Sequence, residues 1–498
     1  MLPIALSFLL GPALASVASQ APRPRSLVTR GEGYIRATIN PITGVPNLRK
    51  RSIERRATEA DVINQQDGTR YAIDVAIGTP PQTLTLILDT GSPDLWVNPR
   101  CDTTFDPQEC VTFPQFDYTK SSTLKTSGFA DVLSYGKGNV TIEYVADTVS
   151  IGSASVTAQI FGVGLDSYDI PLGILGLSPP VNPNNPNSYP FLLDTMAAEG
   201  LIKSRAFSLD LRSVTEPYGA IIFGGLDTGK FSGPLVRLPM LDPSQVQSGA
   251  DRYWIVMTGI GMTFPDGTAD RSGEIEVAVF PDSGGTLSRL PTPIFQAIGE
   301  SFPTAQFDRR SGFYIIDCSV LDEAGTVDFY FSDNLRIAVS YRDFSWHLTD
   351  GSCVLGILPD DDEPVLGDSF LRAAYVVHDQ DNRALHIAQA ANCGTSIVSI
   401  GSGSRAVPSV TGKCAPLDIP TATIGLDATN TREPTNVFTG SSPDTTGLGV
   451  GPGPAGGRTT VSAGGLRPTG AAKNGAGNNM VNFGFGGLLG LAAVMLSL

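Results

Sequence analysis

The chain contains Leu86-Ile87-Leu88-Asp89-Thr90-Gly91-Ser92 and a second segment of the same form, Val279-Phe280-Pro281-Asp282-Ser283-Gly284-Gly285. Each is a mainly apolar run that ends in Asp, a small hydroxyl residue and Gly. A single Asp-Thr-Gly is common in ordinary turns, but here the pattern recurs after 193 residues, a domain-sized interval. The repeat therefore predicts two lobes that each deliver a buried strand and a carboxylate to one shared site.

Composition favours a β-rich, turn-rich protein. The 498 residues allow two or three domains, only 17% of them are charged, and Gly (55) and Pro (37) are frequent. Runs rich in β-branched and aromatic residues between Gly and Pro breaks predict strands at 71–77, 84–88, 131–135, 140–149 and 156–163. Helical patterns are few and short, at 190–199 and 293–301. We therefore predict an all-β fold.

The N-terminal segments predict a secreted precursor. Residues 1–18 form an apolar run that ends in small residues, which is typical of a signal peptide and is short for the alternative, a membrane anchor. Residues 19–56 are basic and end near the pairs Lys50-Arg51 and Arg55-Arg56. In a secreted chain these pairs predict processing sites and a removable propeptide.

The C-terminal segments predict a stalk and a lipid anchor. In the segment 401–470, 40 of the 70 residues are Gly, Ser, Thr or Pro. Such a segment has too few apolar side chains to build a folded core, so we predict a stalk over 393–474. Small residues, a polar spacer and an apolar tail then predict a glycosylphosphatidylinositol (GPI) signal, 475–498, with attachment at Asn474 or Gly475. The alternative, a single-pass tail, is less compatible with so short and Gly-rich a segment.

Charge and cysteine content exclude several classes of function. The net charge is −15 although residues 1–56 carry nine basic and two acidic residues, so the body is strongly acidic and is not expected to bind nucleic acid. Six cysteines in a secreted chain allow up to three disulfides. With no Cys-x-x-Cys and only three His, we predict no metal site and no cofactor.

Two facing Asp-Thr/Ser-Gly turns provide the paired carboxylates that acid–base catalysis needs. Two carboxylates about 3 Å apart do not both ionise readily, so one keeps a proton while the other is charged. The charged carboxylate can take a proton from water while the protonated one polarises a carbonyl. This is general acid–base hydrolysis without a covalent intermediate. The sequence lacks Gly-x-Ser-x-Gly and His-Glu-x-x-His, which argues against serine hydrolases and metalloproteases.

The surrounding motifs resemble a known family. Three segments look like motifs of pepsin-type aspartic endopeptidases, and they occur in the right order. They are the segment from Tyr71 to Gln82, the Asp89 segment through Trp96-Val97, and Val365-Leu366-Gly367-Asp368 followed by 370–377. The resemblance covers about 71–392, and the leader, stalk and anchor signal narrow it to yapsin-like, GPI-anchored fungal members. It implies a bilobal all-β fold with lobes at 71–245 and 246–392 and the active site between them.

The resemblance also implies residue roles. Asp89 and Asp282 would be the catalytic pair, Thr90 and Ser283 a cross-lobe hydroxyl pair, and Ser92 a hydrogen-bond partner of Asp89. Tyr135 would be the tyrosine of a flap over the substrate, with Trp96 as its partner; from its immediate sequence alone, Tyr135 reads as a plain hairpin aromatic. Segments 174–177 and 365–368 would each thread behind one aspartate. The implied disulfides are Cys101–Cys110 and Cys318–Cys353, which leaves Cys393 to pair with Cys414.

Two positions depart from the family pattern. Gly285 stands where a Thr or Ser usually supports the second aspartate, and the loss of that hydroxyl is expected to affect the pKa of Asp282. Pro281 cannot donate a strand hydrogen bond. These departures keep an alternative open: a catalytically impaired pepsin-fold binding or cell-wall protein. A structural wall mannoprotein is a further alternative that the stalk alone supports.

Two surface motifs have two interpretations each. Asn139-Val140-Thr141 is an N-glycosylation sequon near the expected flap tip, where a glycan would crowd the cleft. The run Asp360-Asp361-Asp362-Glu363 is either a solvated loop or a cleft-edge loop that attracts basic substrate side chains.

Together these features predict a monomeric, secreted aspartic endopeptidase that is made as a zymogen and carried to the cell surface. Its partners would be protein or peptide substrates and, through the lipid anchor, the plasma membrane, with the cell wall as an alternative site. It would act at acidic pH, with a preference for basic residues. The basic prosegment is expected to lie over the acidic cleft until cleavage releases it.

Overall fold

The structure is a computed structural model, and it describes residues 29–31, 33–43, 69–104, 107–136, 138–182, 184–185, 188–216, 218–272, 275–332, 334–348 and 351–416. The predicted signal peptide and anchor signal lie outside these residues, as do Asn474 and Gly475. Across the described residues, no helix has both the length and the apolar character that a membrane crossing requires.

Strands dominate the described residues, as the composition predicted. The first half of the chain forms β1 (Thr29–Gly31), β2 (Tyr34–Thr43), β3 (Thr69–Ile77), β4 (Gln82–Asp89), β5 (Leu95–Val97), β6 (Lys125–Ser134), β7 (Asn139–Ile151), β8 (Ala154–Tyr168), β9 (Ile174–Gly176), β10 (Ala206–Asp210), β11 (Gly219–Phe223), β12 (Gly225–Asp227) and β13 (Phe231–Pro239). The five strands predicted in this region all occur, with longer bounds.

The second half continues with shorter strands: β14 (Ile255–Met257), β15 (Gly259–Thr263), β16 (Ala269–Arg271), β17 (Val277–Pro281), β18 (Ser288–Leu290), β19 (Gln306–Asp308), β20 (Phe313–Ile316), β21 (Thr326–Ser332), β22 (Leu335–Ser340), β23 (Ser345–His347), β24 (Cys353–Leu355), β25 (Ile357–Pro359), β26 (Val365–Leu366), β27 (Ala374–Asp379), β28 (Ala384–Ala390) and β29 (Ile397–Ser399). The helices are α1 (Pro107–Cys110), α2 (Leu192–Ala198), α3 (Thr292–Ser301), α4 (Tyr341–Phe344) and α5 (Asp368–Leu371). The two predicted helices correspond to α2 and α3.

One large sheet connects the two halves of the fold. Its strands run in the order β13-β28-β27-β10-β11-β2-β3-β4-β9-β5-β8-β7-β6, so strands from both ends of the chain are neighbours. Three smaller sheets, β14-β17-β26-β18-β25, β16-β15-β21-β22 and β19-β20-β24-β23, complete the second half. Apolar side chains from all of these sheets pack into one continuous core.

Each half repeats one local topology around its Asp motif. Strand β9 lies between β4, to which it is parallel, and β5, to which it is antiparallel. Strand β26 lies in the same way between β17 and β18. The segments 174–177 and 365–368 thus thread behind the two aspartates, the arrangement that the resemblance implied. A buried strand on each side holds each Asp-bearing strand end in place.

Part of the predicted propeptide is a strand of the large sheet. Strand β2 is hydrogen-bonded to β11 on one side and to β3 on the other. Its alternate side chains Ile35, Ala37 and Ile39 are buried in the core. The expectation that this segment lies over the cleft is therefore wrong for residues 34–43, because an apolar alternation drives them into the sheet. Residues 19–28 and 44–56 lie outside the described residues.

The first part of the predicted stalk is folded. Strand β29 pairs with β12, and Ile400, Ala406 and Val407 are buried against Phe231 and its neighbours. A stalk that starts at residue 393 is therefore wrong for 393–416. The average composition of the long Gly- and Pro-rich region concealed a short apolar segment at its start. The remaining residues of the predicted stalk lie outside the described residues.

Candidate active site

Asp89 ends a strand whose buried apolar residues fix its position. Leu86, Ile87 and Leu88 are at most 2% exposed, and Asp89 itself is 4% exposed. The backbone N–H of Gly91 donates to Asp89 Oδ1 at 2.7 Å, and the hydroxyl of Ser92 donates to Asp89 Oδ2. Both carboxylate oxygens of Asp89 therefore have donors within their own turn, including the one expected from Ser92.

Asp282 occupies the corresponding place in the second half but with less support. The backbone N–H of Gly284 donates to Asp282 Oδ1 at 2.8 Å, which matches the bond from Gly91 to Asp89. Gly285 takes the place of Ser92 and has no hydroxyl to offer. A Cβ at position 285 would lie 3.7 Å from Asp282 Oδ2, so a side chain would fit there.

Reciprocal hydrogen bonds join the two turns. The hydroxyl of Thr90 donates to the carbonyl of Pro281 at 3.1 Å, and the hydroxyl of Ser283 donates to the carbonyl of Leu88 at 2.7 Å. Each hydroxyl also accepts from the backbone N–H of the other residue, at 3.2 and 3.0 Å. Thr90 and Ser283 are thus the cross-lobe pair that the resemblance implied. Pro281 has no N–H to give, but this network uses its carbonyl.

The glycine of each turn lies against the aspartate of the other. A Cβ on Gly91 would lie 2.5 Å from Asp282 Oδ2, and a Cβ on Gly284 would lie 2.6 Å from Asp89 Oδ1. Such distances are clashes, so any side chain at either position would push the two carboxyls apart. The pattern Asp-hydroxyl-Gly is therefore needed in both copies for the acids to meet.

Burial and mutual repulsion control protonation of the pair. Burial and the charge of Asp282 raise the pKa of the Asp89 carboxyl well above its ordinary value, and the donors Ser92 and Gly91 only partly oppose this shift. The pair therefore holds one proton at a pH at which an isolated aspartate would have lost it. One protonated and one charged carboxyl at one site can act as acid and base together.

Tyr135 closes over this site at the tip of the β6–β7 hairpin. The indole Nε1 of Trp96 donates to the phenol oxygen of Tyr135 at 2.8 Å, the partnership that the resemblance implied. Burial, with the charges of Asp89 and Asp94, raises the pKa of the Tyr135 phenol well above its ordinary value, so the phenol stays protonated. Tyr135 can therefore donate a hydrogen bond into the site.

A further carboxyl, Asp94, was not singled out from the sequence. The hydroxyl of Tyr189 donates to Asp94 Oδ1 at 2.6 Å, and burial and the charge of Asp131 raise the pKa of Asp94. Asp94 lies in the turn after Ser92, so its proximity to the Asp89 motif was the available signal. Tyr189 is distant in sequence, and no sequence pattern linked it to the site.

Two further residues of the second half lie at the site: Arg252, which no sequence pattern marked, and Asp368, which was named only as the end of the segment 365–368. The guanidinium of Arg252 donates to the carbonyl of Gly91 and lies 3.8 Å from Glu363. Asp368 is fully buried and neither of its carboxyl oxygens has a hydrogen-bond partner. Burial raises the pKa of Asp368 well above its ordinary value, and the charge of Asp282 adds to the effect. The charge of Arg372 opposes this rise in the pKa of Asp368.

The acidic run 360–363 is engaged by nearby partners. Asp361 accepts from the backbone N–H and the hydroxyl of Thr292, at 2.7 and 2.8 Å, and so caps the start of α3. Asp360 pairs with Arg289 at 3.2 Å, and Glu363 lies near Arg252. These contacts favour a structural role for the run over a substrate-binding one.

The six cysteines form Cys101–Cys110, Cys318–Cys353 and Cys393–Cys414. This is the pairing that the resemblance implied. Among the described residues, one group has metal-ligand geometry, Cys318, His347 and Cys353. Its two cysteines share a disulfide, so their sulfurs are not available as thiolates.

Comparisons with known proteins agree with this geometry. The family profile described as "Eukaryotic aspartyl protease" matches residues 70–390. "Probable aspartic-type endopeptidase OPSB" of Arthroderma benhamiae is 33% identical over 389 residues, with 72% of this chain and 77% of the relative covered. "Aspartic proteinase yapsin-3" of Saccharomyces cerevisiae is 31% identical over 363 residues, with 68% and 69% covered.

Among solved structures, the aspartic proteinase from Irpex lacteus aligns with a TM-score of 0.52 at 21% identity, covering 65% of this chain and 94% of that one. This likeness confirms the predicted bilobal all-β fold. The profile match and the relatives confirm the predicted family and the type of enzyme. The chain therefore belongs to the eukaryotic aspartyl protease family and is an aspartic-type endopeptidase.

Proposed function

We propose that Asp89 and Asp282 form the catalytic pair of this endopeptidase. The cross-lobe bonds of Thr90 and Ser283 carry this proposal, because they hold two buried carboxyls from different lobes at one place. The charged member takes a proton from water, and the water oxygen attacks the peptide carbonyl carbon while the protonated member polarises the carbonyl oxygen. Collapse of the tetrahedral intermediate passes a proton to the leaving amine.

The raised pKa of Asp89 gives the direction of the pH dependence. Activity needs one proton on the pair, so it is expected in the acidic range and is lost as pH rises through the raised pKa. Because both aspartates and both hydroxyls come from one chain, a monomer is sufficient for activity.

The decisive experiment is Asp89→Asn, measured by peptide hydrolysis at about pH 4 with and without pepstatin. We expect activity to fall at least about 10³-fold, because an amide cannot act as a base. The control is Asp266→Asn, which changes an exposed turn aspartate and is expected to leave activity unchanged. Pepstatin-sensitive activity in folded Asp89→Asn protein would disprove the assignment. Wild-type protein that neither cleaves peptides nor binds pepstatin would instead support the alternative, an impaired binding protein.

We further propose that the enzyme prefers substrates with basic residues, and that Asp94 and Asp131, not the run 360–363, cause this preference. Asp131 lies on the flap strand β6, and its charge raises the pKa of Asp94 next to the Asp89 turn. A substrate Lys or Arg would relieve that repulsion. In a peptide-library digest, Asp131→Asn is expected to reduce cleavage next to Lys and Arg, whereas Asp361→Asn leaves the profile unchanged. An unaltered Asp131→Asn profile contradicts this proposal.

We also propose that the enzyme is made as a zymogen, processed at Lys50-Arg51 or Arg55-Arg56, and anchored at the cell surface through Asn474 or Gly475. The signal-like start, the three disulfides and the C-terminal pattern support this route. Release of the protein from intact cells by a phosphatidylinositol-specific phospholipase tests the anchor. Protein that stays bound after that treatment places it in the wall or contradicts the anchor.

A further inference from the structure

The flap has two chemically different faces. In the sheet formed by β6, β7 and β8, Asn139 pairs with Ser134 on one side and with Tyr168 on the other. Side chains alternate along a strand, so this row lies on the face opposite to Tyr135. The neighbouring row, Leu133 and Val140, packs with Tyr135 toward the interior. Asn139 therefore points away from the cleft.

The outer face exposes apolar side chains. Tyr168 is 62% exposed and Val132, two residues before Ser134, is 57% exposed. Neither member of this outer-face group is part of a hydrophobic cluster in the described part of the chain. Asn139 is exposed within this group, and it is the acceptor of the sequon Asn139-Val140-Thr141.

We propose that Asn139 carries an N-linked glycan whose first sugar packs on the ring of Tyr168. This inference rests on the proposed secretory route, since the modification occurs there. Directly paired residues on neighbouring strands have Cβ atoms about 4.5–5.5 Å apart, so the first N-acetylglucosamine starts beside the ring. One face of that sugar presents C–H bonds, and an aromatic ring with a polar tip at the water boundary is well suited to receive it.

The direction of Asn139 changes the expectation for catalysis. A glycan near the flap tip was expected to crowd the cleft. On the outer face it covers Tyr168 and Val132 and leaves the Tyr135 face free for substrate. The glycan thus shields the exposed side of the flap without blocking the active site.

The test uses the full chain secreted from a yeast host, with glycopeptide mass spectrometry of the Asn139 peptide. We expect the site to be occupied, and both Asn139→Gln and Thr141→Ala to abolish occupancy while kcat/KM stays within about twofold. Tyr168→Ala is expected to lower Tm by about 1–3 °C more in the glycosylated protein than in the Asn139→Gln background. Phe129→Ala, which removes an exposed aromatic of the same sheet that is not paired with Asn139, is expected to show no such difference.

Secreted, active protein with an unmodified Asn139 overturns the inference. Equal Tm effects of Tyr168→Ala in both backgrounds overturn the packing on Tyr168, and a severalfold gain in kcat/KM on Asn139→Gln overturns the outward direction. A glycosylated chain that cleaves no peptide disproves the proposed function but leaves this inference intact.

Discussion

At the scale of single residues, the two halves of the active site are unequal. Asp89 receives a hydroxyl from Ser92 in addition to the N–H of Gly91, whereas Asp282 receives only the N–H of Gly284 in its own turn. The space beside Asp282 Oδ2 is open at Gly285. The asymmetry is therefore a missing hydroxyl and not a distorted turn.

Gly285→Ser is expected to restore the missing hydrogen bond. A hydroxyl that donates to a carboxylate favours its charged form, so the acid limb of the kcat/KM profile should move to lower pH by about half a unit to one unit. Gly285→Ala supplies the Cβ without the hydroxyl and is expected to leave that limb in place. Equal shifts in both variants would show that packing, not the hydroxyl, is responsible.

His378 imposes a cost on stability in acid. Its ring stacks on Phe207 at 4.4 Å and touches Tyr253, and neither ring nitrogen has a hydrogen-bond partner. Burial lowers the pKa of His378 to about 3, from an ordinary value of 6.5. In this pH range the unfolded chain therefore binds a proton at His378 that the folded chain does not bind. The free energy of unfolding decreases as pH falls from 6.5 toward 3.

His378→Phe is expected to remove that loss. Relative to the wild type, the variant should gain about 3 kcal/mol of unfolding free energy at pH 4 and little from this source at pH 7. Denaturant unfolding at both pH values measures the difference, and the exposed His347 provides the control substitution. A gain of the same size at both pH values would mean that packing, not protonation, explains the effect.

At the scale of elements, β2 shows that part of the predicted propeptide is central to the large sheet. It separates β11 from β3 in the large sheet, and its buried side chains belong to the main core. Without it, two strands lose their hydrogen-bond partner at once. Strand β2, which lies within the predicted propeptide, is therefore expected to be needed for folding.

Ile39→Asp is expected to prevent accumulation of folded, secreted protein. Ile39 is fully buried, and an unpaired charge in such a place costs several kcal/mol, a large part of a domain's stability. Ile39→Val, which costs about 1 kcal/mol, should be secreted at near wild-type yield. Normal yield of active Ile39→Asp protein would show that β2 is dispensable.

Sequence patterns predicted local features and the family, and failed where distant segments meet. The Asp-hydroxyl-Gly repeat and the strands β3, β4, β6, β7 and β8 follow from local alternation and turn residues. The threading segments were implied by the family resemblance and not by their own pattern. The contact of Arg252 with Gly91 joins positions 161 residues apart, and no local pattern marks it. No local pattern marks the partners of Asp360 and Asp361 either. The sequence therefore did not show that this acidic run is bound by neighbouring residues.

At the scale of the whole molecule, residues 393–416 are part of the folded body. The Cys393–Cys414 disulfide closes the last segment, and the backbone N–H of Lys413 donates to the carbonyl of Thr228 at 2.7 Å. Ile400 and Val407 cover Phe231 and Tyr375. Residues 393–416 therefore belong to the folded enzyme and not to the predicted stalk.

Truncation separates the two parts. A chain that ends after residue 416 is expected to keep the Tm and activity of the full protein, whereas one that ends after 392 exposes this apolar cluster and should lose about 5 °C or more. Thermal unfolding of both proteins, with activity measured in parallel, checks the boundary. Equal Tm values would show that the segment packs without stabilising the body.

The reciprocal fit of each glycine against the opposite carboxyl couples proteolysis to assembly. Gly91 and Gly284 shape the site only while the two turns face each other, and neither lobe alone contains an acid–base pair. A nascent, damaged or partly unfolded copy lacks the proposed catalytic pair and is therefore not expected to cleave the proteins around it. Hydrolytic activity is therefore expected only in molecules in which both Asp-bearing turns are folded and face each other.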